Sequence, residues 1–324
     1  MSHSVDDADI PRPAIGLSTR RGISTRTFVY VATVSLGLLW LVVTTGALVR
    51  LTASGLGCPH WPTCEANQLL PQDSGHALIE FSNRVISGIA MVATVIAAVM
   101  ARRTRGLDRA VATAAALAAI GTIAQVPLGA LTVALDLNPL LVMSHFLLAM
   151  AVVAVWTWVT VRAVRLDRGG PELLGDRRMG MLAWCTAVTC LALVTTGAFV
   201  TASGPHPGST NTPIERLWNF YRATWLHVRI ATIFTVLFVV LAVWIWRRAA
   251  RTVPAWLVAA AIALIGCQAI VGEVQYRNGL PWQLVAVHVA LAATLLMLVV
   301  AAASFIWEPS TVERDHQVAP LGDT

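Results

Sequence analysis

Eight long apolar stretches separated by short polar segments organise this chain. They fall near 27–49, 78–101, 111–134, 140–161, 180–201, 224–246, 254–274 and 282–306. Each is long enough to cross a bilayer core, which takes roughly 20 residues as a helix. Only elements that satisfy their own backbone hydrogen bonds can span hydrocarbon. The pattern therefore predicts an all-α membrane protein of eight transmembrane helices. The first stretch has no small-residue cleavage site after a short apolar region, so it reads as a retained helix and not as a signal peptide.

Composition agrees with that class. The chain has 324 residues, 56% of them hydrophobic and 12% charged, which is too apolar for a soluble domain. All 23 basic residues are arginine, and the net charge is +6. This excess does not point to nucleic acid, because it is grouped by loop. The two tails and the loops around 102–109, 162–178 and 247–251 hold 17 of the 23 arginines. Basic loops stay in the cytoplasm, so both termini are expected there. Reporters fused after residues 106 and 170 should stay inside, and one near 208 should be exported. The expected surroundings are membrane lipid.

The chain also repeats itself. Val43-Thr44-Thr45-Gly46-Ala47 recurs as Val194-Thr195-Thr196-Gly197-Ala198. Thr52-Ala53-Ser54-Gly55 recurs as Thr201-Ala202-Ser203-Gly204, after a two-residue deletion. Gln125, Gly129 and His145 recur as Gln268, Gly272 and His288, each at an offset of 143. An even number of helices per repeat keeps both copies in one orientation, which predicts two tandem four-helix bundles related by a parallel pseudo-two-fold axis. The expected divisions are a cytoplasmic tail (1–26), an N-terminal half (27–161), a cytoplasmic linker (162–178), a C-terminal half (179–308) and a second cytoplasmic tail (309–324).

Three of the eight histidines fall inside predicted helices: His145, His227 and His288. His3 and His316 lie in the tails; His60, His76 and His206 lie in or near outer segments. Each helical histidine sits six or seven residues past a helix start, roughly 10 Å deep at 1.5 Å per residue. His227 and His288 are 61 residues apart, and carrying His227 back through the repeat leads to Asn83, 62 residues before His145. One half thus offers a His–His pair and the other an Asn–His pair. Two imidazoles at one depth in a bundle core suit axial ligation of haem iron. Polar groups within a membrane are costly and mark function by default. The competing readings are a hydrogen bond to a neighbouring helix, or zinc, which would want more ligands at that depth.

Outside the membrane, Cys58-Pro59-His60-Trp61-Pro62-Thr63-Cys64 places two cysteines where disulfides persist. They read as a bridge, structural or redox-active, and less well as half of a zinc site. Cys185, Cys190 and Cys267 are expected to be small buried apolar residues. Arg50, Arg84 and Arg222 are candidates for pairing with anionic groups, with lipid headgroups competing for Arg50 and Arg222 and a protein carboxylate for Arg84. Trp61, Trp218, Trp225 and Trp282 suit an interfacial aromatic belt.

The string from Gly46 through Arg50, Gly55 and Cys58 to Cys64 resembles the first outer loop of the haem A synthases, and Ile79-Glu80-Phe81-Ser82-Asn83-Arg84 resembles that family's Glu-x-x-His-Arg motif. The resemblance covers the core, about 27–306. It implies an oxidoreductase of bacterial plasma membranes that converts the C8 methyl group of haem O to a formyl group for a-type terminal oxidases. It further implies haem b on His227 and His288, substrate iron facing His145, Glu80 as the catalytic carboxylate, Asn83 and Arg84 at the substrate haem, and a Cys58–Cys64 loop pair. Haem O synthase and oxidase assembly factors would be partners. Two departures stand out: Asn83 occupies the first histidine position, and Val228 separates His227 from Arg229. Asn83 puts bis-histidine ligation of the substrate in doubt, leaving His145 alone or a second ligand from His76 or His60. The competing functions are a haem b cytochrome that only passes electrons between quinone and a partner, and a haem carrier. The Glu80 motif together with the cysteine loop favours the enzyme.

Overall fold

The computed structural model describes residues 22–58, 63–64, 71, 75–170, 177–210 and 213–306. Among these the chain forms eight helices, each long and apolar enough to cross a membrane. They are α1 (Thr25–Leu51), α2 (Gly75–Ala101), α3 (Arg109–Ala134), α4 (Pro139–Asp167), α5 (Arg177–Ser203), α6 (Phe220–Ala249), α7 (Val253–Arg277) and α8 (Trp282–Ile306). Among the described residues the extended pairing is an isolated bridge between Ile23 and Thr104. The protein is an all-α, multi-pass membrane protein.

Helix ends follow from capping chemistry. Ser24 accepts the Thr27 N–H at the start of α1, Asn138 accepts the Leu140 N–H ahead of Pro139 in α4, and Asn219 accepts the Arg222 N–H in α6. Each satisfies a backbone donor that has no partner within the helix. Most helices run past the apolar stretch that predicts them. α4 continues to Asp167, because Arg162 pairs with Asp108 at 2.5 Å and Arg165 donates to the Ser304 carbonyl at 3.1 Å.

Helices α1–α4 form one closed ring of neighbours (α1 with α2, α2 with α3, α3 with α4, α4 with α1), and α5–α8 form another. Between the rings α4 meets α5 and α8, and α1 meets α8. Exchanging α1–α4 for α5–α8 in order leaves this set of contacts unchanged. Two matching turns accompany it. Leu137 and Leu280 both adopt positive φ, and their N–H groups reach back to the carbonyls of Thr132 and Gln275, both at 2.8 Å.

Polar bonds cross the seam at a few places among the described residues, Arg165 to the Ser304 carbonyl being one. Trp40 Nε1 donates to Thr294 Oγ1 at 3.0 Å, joining α1 to α8. Interhelical hydrogen bonds in lipid average only about 0.6 kcal/mol, so close packing carries the seam. Buried residues of both rings, among them Phe28, Trp156, Phe234 and Phe238, belong to one continuous core cluster, and small residues such as Ala115, Ala293 and Ala302 let the helix backbones approach. Outward-facing Tyr30, Leu117, Val188 and Trp256 are exposed apolar groups that lipid would solvate. The expectation for the cysteines needs correcting. Cys190 is buried, but Cys185 and Cys267 are exposed. A thiol is apolar enough to face lipid as readily as core.

Candidate functional site

The helical histidines each meet a glycine. A Cβ on Gly197 would lie 3.1 Å from His227 Cε1, one on Gly272 3.4 Å from His288 Cε1, and one on Gly129 3.3 Å from His145 Cε1. Each glycine therefore lets an imidazole lie against a neighbouring backbone. Gln125 and Gln268 lock the arrangement, donating to the His145 carbonyl at 3.2 Å and the His288 carbonyl at 3.1 Å.

In the C-terminal half, the His227 and His288 rings lie edge-on to one another, with centroids 6.5 Å apart and planes 68° apart. The Thr196 hydroxyl donates to the Leu193 carbonyl at 2.9 Å and stands 3.1 Å from His227 Nδ1. With its proton so used, the threonine accepts from Nδ1–H and leaves Nε2 with a free lone pair. A metal–imidazole bond is about 2 Å, so iron held from both sides separates two ring centres by roughly 6 Å. The pair fits a haem iron. The Nδ1 atoms of His145 and His288 are buried without a hydrogen-bond partner.

The N-terminal half repeats the frame with different side chains set in it. Asn83 occupies the place of His227 and faces Gly46, whose Cβ would lie 3.9 Å from Oδ1. Thr45 Oγ1 donates to that Oδ1 at 2.7 Å, with the Leu41 carbonyl as a competing acceptor at 2.9 Å. Here lies a cavity of about 440 Å³, whose walls include His145, Asn83, Glu80, Arg84 and Arg50 among mainly apolar side chains. Ala198, Thr201, Pro207, Gly208, Val285 and Val289, all from the C-terminal half, complete it.

The cysteine loop is fastened to α2 beside this cavity. Cys58 and Cys64 form a disulfide, buried against Ala77 and Phe81. The Cys58 N–H donates to Glu80 Oε2 at 2.8 Å, Arg84 pairs with Glu80 Oε1, and Arg84 Nη1 donates to the Thr63 carbonyl at 3.0 Å. Glu80 and Arg84 thus form a buried ion pair whose spare hydrogen-bonding capacity holds both ends of the loop. Of the two partners expected for Arg84, the carboxylate is present. His76 bonds Ser54 Oγ at 2.9 Å and is not among the cavity walls. His60 lies outside the described residues. Arg222 lies in an exposed patch with Trp218, Tyr221 and Trp225.

Sequence reasoning missed two features. Thr45 and Thr196 orient Asn83 and His227, although the repeated Thr-Thr-Gly strings carried that signal. Arg50 turns inward, donating from Nε to the His206 carbonyl at 3.0 Å and from Nη2 to the Thr201 carbonyl at 2.9 Å. Nearby, the Gly55 N–H donates to the Gly208 carbonyl at 2.8 Å, and His206 Nε2 donates to the Leu280 carbonyl at 2.8 Å. Arg216 donates to the Pro205 carbonyl at 3.2 Å, and partial burial pushes its pKa below the ordinary guanidinium value.

Comparison with known proteins agrees with this architecture. The chain is 29% identical over 223 residues to a haem A synthase of Halalkalibacterium halodurans, covering 66% of this chain and 74% of that one. It is 31% identical over 167 residues to a haem A synthase of Lysinibacillus sphaericus, covering 49% and 53%. It is 29% identical over 147 residues to one of Geobacillus kaustophilus, covering 45% and 46%. The chain spans about half the length of most of these relatives. The model of the cytochrome oxidase assembly protein family matches residues 29–300. Spanning all eight helices, that match means that the chain belongs to the cytochrome oxidase assembly protein family, that of the haem A synthases.

Proposed function

We propose that this chain is a haem A synthase, oxidising the C8 methyl group of haem O to a formyl group within a bacterial plasma membrane. The observation that carries the reading is the asymmetry between two matching frames: the His227 and His288 rings lie 6.5 Å apart, whereas Asn83 and His145 both line a cavity of about 440 Å³. On this reading the C-terminal half (179–308) keeps a resident haem b and the N-terminal half (27–161) takes the substrate, haem O. The linker (162–178) and the tails (1–26 and 309–324) are cytoplasmic, as the arginine distribution implies. Haem O synthase and terminal oxidase assembly factors are the proposed partners.

His227 and His288 would hold haem b, which when bound supplies electron-transfer chemistry. His145 would face the substrate iron from α4, aligned through Gln125. Asn83, an amide, is a poor ligand and leaves the opposite side of the substrate less encumbered than histidine would. Glu80 is the candidate for moving protons at the site, and its bonds to the Cys58 N–H and Arg84 tie α2 to the disulfide. The apolar walls exclude water from the macrocycle. Going from methyl to formyl adds one oxygen and releases four protons and four electrons (R–CH3 + H2O → R–CHO + 4 H+ + 4 e−), the electrons going to an external acceptor, with the hydroxymethyl haem as the two-electron stage.

The test is co-expression of the full chain with a supply of haem O, followed by extraction and mass analysis of the haems. Formylated haem, absent from cells without the chain, is expected. Recovery of haem O and haem b alone would overturn the proposal.

A further inference from the structure

We propose that Arg50 is the anion anchor of the N-terminal cavity, binding a carboxylate on the edge of its ligand: a propionate of the substrate haem, if the functional reading above holds. Arg50 sits in the last turn of α1 and lines the cavity. Two of its five N–H groups are used, both on neutral carbonyls, those of His206 and Thr201. Among the described residues no carboxylate pairs with it. Three other arginines at helix ends do have a carboxylate: Arg84 pairs with Glu80, Arg162 with Asp108 and Arg277 with Glu273. Arg216 adds a second positive charge within Coulombic reach of Arg50. Arg216 is itself exposed, so the cost falls mainly on the half-buried Arg50, whose positive charge has only neutral carbonyls as partners among the described residues. The remaining N–H groups suit the two oxygens of a carboxylate, for which the planar guanidinium fork is matched.

Position and pedigree support the same assignment. Arg50 lies four residues beyond Gly46, the glycine facing Asn83, and so roughly 6 Å further along the helix towards the outer end. A macrocycle centred between Asn83 and His145 would bring one edge towards Arg50, and the acidic edge is the one a guanidinium matches. Arg84, the alternative cation of the cavity, already has its counter-charge. The internal repeat supplies the independent observation. Val49-Arg50-Leu51-Thr52 in the first half corresponds to Val200-Thr201 in the second, so the two residues missing there are Arg50 and Leu51. The half with a complete histidine pair lacks this cation; the half with the cavity has it.

The test compares haem O with its dimethyl ester, in which both propionates are blocked, by titrating each into the purified full chain and following the Soret difference spectrum. Wild type should bind the free acid about tenfold more tightly than the ester, the scale of one charge-assisted hydrogen bond. Arg50→Gln should lose that preference while holding the ester as wild type does, and Arg50→Lys should regain part of it. If Arg50 only braces the loop at 201–206, Arg50→Gln will weaken acid and ester together and keep their ratio, which overturns the proposal. Equal affinity of wild type for the two ligands overturns it without touching the functional reading. Failure of wild type to bind either ligand would instead remove the haem reading of the cavity, and the anchor with it. Should Arg50→Gln not fold, the wild-type ratio and the Arg50→Lys ratio decide.

Discussion

The two halves surround different side chains with nearly the same contacts. In each, a glutamine holds the carbonyl of a histidine and a glycine gives that histidine room. A threonine touches the residue opposite: Asn83 in one half, His227 in the other. The differences are local. An amide replaces an imidazole, and the first half keeps Arg50 and Leu51 where the second has neither. The comparison teaches that the positioning frame and the chemistry are separable. The frame sets depth and orientation, while single side chains decide whether a half holds two imidazoles close together or presents a cavity.

The sharpest way to break this comparison is to remove a ligand from the complete pair. His288→Ala or His227→Ala should abolish the low-spin haem b signal or convert it to high spin, read from the absorbance and electron paramagnetic resonance spectra of the purified chain. A low-spin spectrum unchanged in both variants would place haem b elsewhere.

Glu80→Gln should leave that spectrum intact and lower haem A formation on the order of a hundredfold, the scale of lost proton transfer, with haem O or its hydroxylated form accumulating in extracts. Glutamine keeps an oxygen for the Cys58 N–H but removes the charge facing Arg84. Normal haem A yield would reduce Glu80 to an anchor for the loop, and loss of haem b would dissolve the division between halves.

The smallest expected effect sharpens the comparison most. Gly197→Ala puts a methyl group 3.1 Å from His227 Cε1, whereas Gly46→Ala puts one 3.9 Å from Asn83, ordinary van der Waals contact. Overpacking of this kind costs about 1–3 kcal/mol, so Gly197→Ala should lower haem b occupancy or broaden its spectrum. Gly46→Ala should retain both haem b and haem A formation. Equal effects of the two substitutions would contradict the different spacing of the frames.

Much of this was legible in the sequence, for identifiable reasons. Eight apolar runs leave little choice of fold once lipid is the solvent. The spacing of His227 and His288 carried through the repeat to Asn83 and His145. Helix ends were less legible. α6 starts at Phe220 because Asn219 caps it, a signal hidden among Trp218, Phe220 and Tyr221. Helix faces were less legible still. Lipid and core both select apolar residues, so nothing distinguished buried Cys190 from exposed Cys185 and Cys267. Arg50 was ambiguous because its partners, Thr201 and His206, lie more than 150 residues away.

The cavity of the first half borrows walls from the second, and this bears on the order in which the protein can be made. The amino-terminal helices leave the ribosome first, bringing Arg50, Asn83 and His145 into the membrane early. Thr201 follows with α5 and Pro207 and Gly208 with the segment after it, while Val285 and Val289 arrive only with α8. The pocket is therefore unfinished for most of translation, and its last walls come from the last helix. A nascent chain paused before α8 would carry Arg50, Asn83 and His145 without the walls that complete the cavity around them.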